Sequence, residues 1–259
     1  MAHPDFSALI MKDSSHIMKL APLDSGGIKG RSSPIIKKVL KKEDGSPAEN
    51  RGRCLFGRMR LYLVRHGETD WNLVRRLQGS EDIPLNAYGR ELAAATAEAL
   101  KDISFDAVFC SPLSRAKETA EIITGERKVQ IQTDDRLKEI GFGIGEGRNI
   151  PEIRNTPGDP LHDFFYAPER FIPMEGGETF EEVYARTADV VREKILPLEA
   201  TCGNVLVVAH GVANRSILNP AAGIPMEEFW KIPLLNCTVS VLEVKNGILR
   251  VLEEGKTYY

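Results

Sequence analysis

"LYLVRHGETDWN", residues 61–72, is an apolar run that breaks off into an arginine, a histidine and a glycine. Leu61 to Val64 are the large and β-branched types that fill a buried strand. A strand that ends on groups able to bind or react delivers them to one edge of a sheet. The same arrangement recurs in "NVLVVAHG", residues 204–211, where an apolar strand is followed by His210 and Gly211. A third apolar stretch, "FDAVFC", runs into Ser111-Pro112 and then Arg115.

Helical patterns separate these strands. "NAYGRELAAATAEALKDI" has Asn86 as N-cap and Leu92, Ala95, Ala99 and Ile103 at helical spacing. "LSRAKETAEIIT" follows the second strand, and "VQIQTD" reads as an edge strand. "TFEEVYARTADVVREKILPL" is predicted as one helix with a capping box from Thr179 to Glu182, and "GVANRSILNPAAG" as a helix ending at Pro220. "CTVSVLEV" and "ILRVLEE" flank Asn246-Gly247, a hairpin signal. Together they predict an α/β fold: a three-layer α/β/α sandwich whose mostly parallel sheet is closed by an antiparallel C-terminal hairpin.

The chain has 259 residues, 42% of them hydrophobic and 27% charged, the composition of an ordinary globular protein. No run of about 18 apolar residues is present, so no membrane span is expected. Pro4, Asp5, Lys12 and Asp13 interrupt any secretory apolar stretch, and the cytoplasm is the expected compartment. The net charge of −3 gives no reason to expect a nucleic-acid partner. Cys54, Cys110, Cys202 and Cys237 form no CxxC pair and read as buried thiols.

That average charge hides an asymmetry. Residues 1–58 hold eleven Lys or Arg against six Asp or Glu, a balance of +5 that leaves −8 for the remainder. Their Ser, Gly and Pro punctuation predicts a basic, disordered extension, with the globular domain at 59–259. "SPIIKKVLKK" could form a short basic amphipathic turn or serve only as solvated tail.

In a parallel sheet of this kind, ligands bind beyond the carboxyl ends of the strands. If the three strands are neighbours, Arg65, His66, Arg115 and His210 converge. Two guanidiniums and two imidazoles form a site for an anion, and tetrahedral phosphate suits the forked donors of arginine. Positive neighbours disfavour a protonated imidazole, so His66 is a candidate nucleophile. Zinc would need three or four close ligands, and His3, His16 and His162 have no ligand spacing. No metal and no cofactor is called for.

"RHGETDWN", with "SPLSRAKETA" and "VVAHG" after it in order, resembles the signature of the histidine phosphatase superfamily, the phosphoglycerate-mutase-like branch, from about Met59 to the final hairpin. The resemblance implies a phosphohistidine mechanism. His66 would attack phosphorus, while Arg65, Arg115 and His210 would bind the phosphoryl oxygens. Asn72 would reach the phosphate and the Gly67 backbone would orient the nucleophile. Thr69, Gln78, Gly79 and Gly211 are further candidates for the substrate site, and Glu178, in a segment that resembles the family's GGES, would contact the substrate or support the site. The family's L-x-E pattern places the acid/base at Glu139 and leaves Glu146 a supporting role. Gly145 stands where the family has a tryptophan, a change that could enlarge or loosen the pocket.

Phe164, Phe165, Tyr166 and Phe171 have two readings, a lid over the leaving group or a satellite core. The segment after Glu139, "IGFGIGEGRN", resembles broad-specificity and alpha-ribazole phosphatases more than mutases. The expected reaction is therefore hydrolysis of a small phosphorylated metabolite. A cofactor-dependent phosphoglycerate mutase and a non-catalytic phosphate-binding protein are the alternatives, and monomer and homodimer both stand open.

Overall fold

The structure, a computed structural model, describes residues 58–259 together with Met18 and Lys19. Apart from Arg58 and those two residues, the expectations for the basic extension, and for Cys54, lie outside the described residues. One sheet organises the fold. Its strands are β1 (Met18–Lys19), β2 (Met59–Arg65), β3 (Ala107–Cys110), β4 (Ile131–Thr133), β5 (Asn204–Ala209), β6 (Val239–Lys245) and β7 (Ile248–Lys256). Their order across the sheet is β1-β7-β6-β2-β5-β3-β4. β2, β5, β3 and β4 run parallel, whereas β6 and β7 form an antiparallel hairpin beside β2. The hairpin turns at Asn246 and Gly247, both at positive φ (53° and 72°), the backbone that a tight hairpin demands.

The two-residue period of the strands sorts the core. Leu61, Leu63, Val205 and Val207 face one layer with Val190, Ala213 and Ile217. Tyr62, Val64, Leu206 and Val208 face the other with Ala116, Ala120 and Ile123. Each fully buried Leu, Ile or Val among them contributes about 1.5–3 kcal/mol. The helices doing this covering are α2 (Ala87–Ala99), α3 (Ser114–Thr124), α6 (Phe180–Val190) and α7 (Gly211–Ala222); α1 (Asp70–Leu73), α4 (Ile150–Asn155) and α5 (His162–Tyr166) are short. The result is the expected three-layer α/β/α arrangement. No helix among the described residues is long and apolar enough to cross a membrane.

Two helix ends depart from expectation. α7 runs past Pro220 to Ala222 and stops at Gly223, which is left-handed at φ 69°. In the last turn, proline's missing N–H removes one bond from a helix buried on nearly every side, so packing prevails. The helix after Thr179 is α-helical only to Val190. It widens into a π-turn at Val191–Ile195 and tightens into a 3₁₀ turn at Leu196–Ala200. Pro197 cannot donate to the carbonyl four residues back and crowds it, which breaks the regular ladder.

A third cluster, of Phe142, Phe164, Phe171, Phe180, Phe229 and Trp230, lies outside the sheet layers. Phe164 stacks on Phe180 with centroids 5.2 Å apart. Phe164 and Phe171 are therefore satellite core, and Tyr166 is exposed.

Candidate active site

The site is assembled where β2 and β5 end side by side. The strands pair from Arg60–Asn204 to Arg65–Ala209, and the His66 amide still donates to the Ala209 carbonyl at 2.9 Å. The chains then part, leaving the His66 and His210 rings with centroids 5.0 Å apart, tilted by 58°. Both histidines are buried.

His66 has a fixed orientation. Its Nδ1 lies 2.7 Å from the carbonyl oxygen of Gly67. A carbonyl can only accept, so Nδ1 carries the proton and Nε2 holds a lone pair. The Gly67 amide in turn donates to Thr119 Oγ1 at 3.0 Å. A β-carbon at Gly67 would lie 2.5 Å from the Gly89 carbonyl oxygen, so only glycine permits this close passage beneath α2.

The arginines are held by backbone carbonyls. Arg65 Nη1 donates to Leu234 O at 2.7 Å. Arg115, fully buried, donates from Nη1 to Glu81 O at 2.6 Å and from Nη2 to Gly79 O at 2.9 Å. Neutral acceptors leave the guanidinium charge uncancelled. Arg65 Nε, Arg115 Nε and both ring nitrogens of His210 are buried with no hydrogen-bond partner. Buried polar groups are normally paired, and the two guanidinium Nε–H groups with the one N–H of a neutral His210 fit an anion with several acceptor oxygens. Burial lowers the Arg115 pKa to about 10, still charged at neutral pH. Burial first, and then Arg115, hold the His66 and His210 pKa values well below the usual imidazole range, so both rings are neutral.

Glu139 joins this group from a different segment. Its carboxylate accepts from the amides of Gly211 (2.9 Å), Val212 (3.0 Å) and Ala213 (3.3 Å), the first turn of the helix that His210 caps. Carboxylate and helix N-terminus attract one another. A β-carbon at Gly211 would lie 3.3 Å from Glu139 Oε2 and 3.9 Å from Arg65 Nε, so both groups flank this glycine. The fold thus brings together all five residues singled out for chemistry.

Other candidates are distributed differently. Thr69 is fully buried and caps α1: its hydroxyl accepts from the Asn72 amide at 3.2 Å and donates to Asn72 Oδ1 at 3.1 Å. That hydroxyl therefore spends its proton inside the cap. Glu178 is likewise a wall residue. Arg186 binds both of its oxygens at 2.9 Å and also donates to the carbonyls of Lys138 and Glu139, steadying the Glu139 segment. Gly79 supplies the carbonyl that holds Arg115, and Gly211 the amide that holds Glu139. Gln78 is buried with Oε1 unpartnered. Glu146 accepts from Ser80 N at 2.7 Å, the supporting role expected of it.

Nor does Gly145 leave a gap. A β-carbon there would lie 2.9 Å from Leu161 Cδ1 and 3.1 Å from Met174 Sδ. Leu161 and Met174 thus close directly on the position from which the family's indole would project.

Sequence reasoning missed Arg215 and Asn236. Arg215, five residues after His210, is buried on Trp230 with its guanidinium carbon 4.9 Å from the ring centroid, and it donates to Gly211 O and Ile232 O. The one charged residue of its helix was the available signal. Asn236 lies in a loop without periodicity, which offered none. Among the described residues no group of three or more His, Cys, Asp or Glu side chains is placed to hold a metal ion. The Cys110 and Cys237 thiols are pushed up by burial, to about 11 and about 12.

Comparison with known proteins agrees with this geometry. Residues 61–256 match the family described as "Histidine phosphatase superfamily (branch 1)". The chain is 37% identical over 183 residues to "Uncharacterized phosphatase PhoE" of Bacillus subtilis (strain 168), covering 70% of this chain and 86% of that protein. It is 33% identical over 191 residues to "Probable phosphoglycerate mutase GpmB" of Proteus mirabilis (strain HI4320), covering 73% and 86%. The crystal structure of the alpha-ribazole phosphatase from Shigella flexneri superposes with a TM-score of 0.68 at 27% identity, covering 76% of this chain and 96% of that one. The chain belongs to branch 1 of the histidine phosphatase superfamily, and its class of activity is that of a phosphoric monoester hydrolase.

Proposed function

We propose that the protein is a metal-independent phosphatase that hydrolyses phosphate monoesters of small metabolites through a phosphohistidine on His66, with residues 59–259 as the catalytic unit. The observation that carries this reading is the Nδ1–H of His66 bound to Gly67 O, which frees Nε2 as a neutral nucleophile among buried, unpartnered nitrogens of Arg65, Arg115 and His210.

In the first step His66 Nε2 attacks phosphorus, the ester P–O bond breaks, and protonated Glu139 gives its proton to the departing alkoxide. Arg65, Arg115 and His210 hold the phosphoryl oxygens, and Asn72 adds an amide donor. In the second step the Glu139 carboxylate takes a proton from water, the water oxygen attacks phosphorus, the P–N bond breaks and inorganic phosphate leaves. The acceptor-only form needed for that step matches a Glu139 carboxylate receiving several amide N–H groups.

A mutase would use the same phosphohistidine but pass the group to a second acceptor before water arrives, and the likeness to the Proteus protein supports keeping this second reading. Hydrolysis of p-nitrophenyl phosphate in EDTA across pH 5 to 8 tests the proposal. Turnover that survives the chelator supports it. Silence there, with 2,3-bisphosphoglycerate-dependent conversion of 3- to 2-phosphoglycerate, would replace it by the mutase.

A further inference from the structure

We propose that Asn236 is a positioning residue of this site, a single amide that holds the Gly67 carbonyl against the His66 Nδ1–H and keeps the Asn72 side-chain oxygen turned inward; the proposal rests on the phosphohistidine reading above. Asn236 Nδ2 lies 3.1 Å from His66 O, 3.1 Å from Gly67 O and 3.3 Å from Asn72 Oδ1, so its two N–H groups are shared among them. All three are acceptors. The Gly67 carbonyl that receives Asn236 is the one that receives the His66 Nδ1 proton.

Every orientation in this chain of bonds is dictated by a backbone group at one end or the other. The Thr69 amide can only donate, and it donates to the Asn72 side-chain oxygen at 3.1 Å. That fixes Asn72 Oδ1 inward and leaves its Nδ2 to point elsewhere. Asn236 must then offer nitrogen to Asn72 Oδ1, as the Gly67 and His66 carbonyls at its other contacts also require. His66 must present Nδ1–H to the same Gly67 oxygen. The consequence is a lone pair on His66 Nε2 and a free donor on Asn72, the two groups a phosphoryl group needs from this side of the site.

The loop that delivers Asn236 is built at some cost in backbone energy. Cys237, the next residue, is buried and non-glycine yet sits at φ 54°. Its amide is shared between Arg65 O (3.0 Å) and His66 O (3.3 Å), which ties the strained turn to the end of β2. On the other side, Tyr259 Oη donates to Asn236 O at 2.8 Å. Asn236 is thus gripped on both flanks while its side chain reaches the nucleophile. It touches no reacting atom and acts through Gly67 and Asn72.

The test uses the full chain with ¹⁵N-histidine labelling, comparing wild type with Asn236→Ala and with the isosteric Asn236→Asp. Two readouts are taken: the imidazole nitrogen shifts of His66, identified by their loss in His66→Ala, and the pH profile of kcat. Wild type is expected in the Nδ1–H tautomer. Asn236→Ala should mix the tautomers and lower kcat about tenfold, the effect of one lost positioning hydrogen bond. Asn236→Asp should lower kcat further near neutral pH, because a carboxylate faces three acceptors, and should recover on acidification as the carboxyl gains a proton to donate. A role confined to stability would move neither the tautomer nor the pH profile. Should the alanine variant fail to fold, the aspartate variant, which keeps the shape, decides by the same readouts. A folded variant whose tautomer is unchanged and whose kcat stays within about twofold of wild type overturns the proposal. Absence of a phosphohistidine in wild type would remove the parent reading instead, and the tautomer measurement would still decide the role of Asn236.

Discussion

The carboxylate of Glu139 lies 2.9 Å from the amide nitrogen of Gly211, so the candidate acid/base is docked on the very helix whose cap is His210. Two segments far apart in sequence are thereby locked into one site. The helix N-terminus, and neither arginine, is what receives the Glu139 carboxylate oxygens.

Glu139→Gln keeps an acceptor for those amides but can neither donate the proton a poor leaving group needs nor take one from water. Turnover of sugar phosphates should fall far more than the burst of nitrophenol release from p-nitrophenyl phosphate, whose leaving group needs little protonation. Pre-steady-state assays with both substrates make the comparison. Equal losses would remove Glu139 from the donor role.

Arg115→Ala deletes a buried cation that also anchors the carbonyls of Gly79 and Glu81. The rate should fall about a hundredfold, roughly 3 kcal/mol of transition-state stabilisation, as for other lost anion donors. Chemical denaturation of the same variant separates this from lost stability. A fall of less than about threefold in folded protein would place Arg115 away from the phosphate.

Gly145→Trp restores the family's indole in a space already occupied by Leu161 and Met174. It should destabilise the protein by about 1–3 kcal/mol, the ordinary cost of overpacking, measured from urea midpoints. Unchanged or increased stability would mean that the segment over the site yields easily and that the pocket is looser than its packing indicates.

The two buried imidazoles give a pH dependence with a definite sign. Their folded pKa values lie well below the unfolded value near 6.5, so below that pH the unfolded chain binds more protons. The stability they contribute is present in full above about pH 6.5 and is lost as pH falls toward the depressed folded values. Thermal melts should hold steady from pH 8 to 7 and fall below about 6.5, with a shallower fall in a His66→Gln/His210→Gln double variant. An identical slope in the double variant would show that other groups control acid stability.

Much of this was legible in the sequence because the informative residues follow strong local patterns. Arg65, His66, His210 and Gly211 sit directly after apolar strands, and Arg115 opens a helix after a third; strand ends in a parallel sheet share an edge. Glu139 had no such pattern and was placed by family resemblance. Thr69 and Glu178 could not be assigned from sequence because polar side chains look alike as caps, wall residues or substrate contacts until their partners are known. Asn236 was invisible for the same reason. Its meaning comes from three acceptors contributed by residues about 170 positions away in the chain. The end of α7 was settled by packing around Pro220, which local propensity does not report, whereas the π-turn after α6 follows from Pro197 itself.

The central claim is a covalent phosphate on His66. The most direct measurement is rapid mixing of the full chain with ³²P-labelled phosphomonoester, quenching in base and mapping of the label by peptide mass spectrometry. The account predicts a base-stable, acid-labile label on the peptide containing His66, absent from His66→Ala and accumulating in Glu139→Gln, where its hydrolysis is slowed. Undiminished turnover in His66→Ala, or a label carried by another residue, would contradict it.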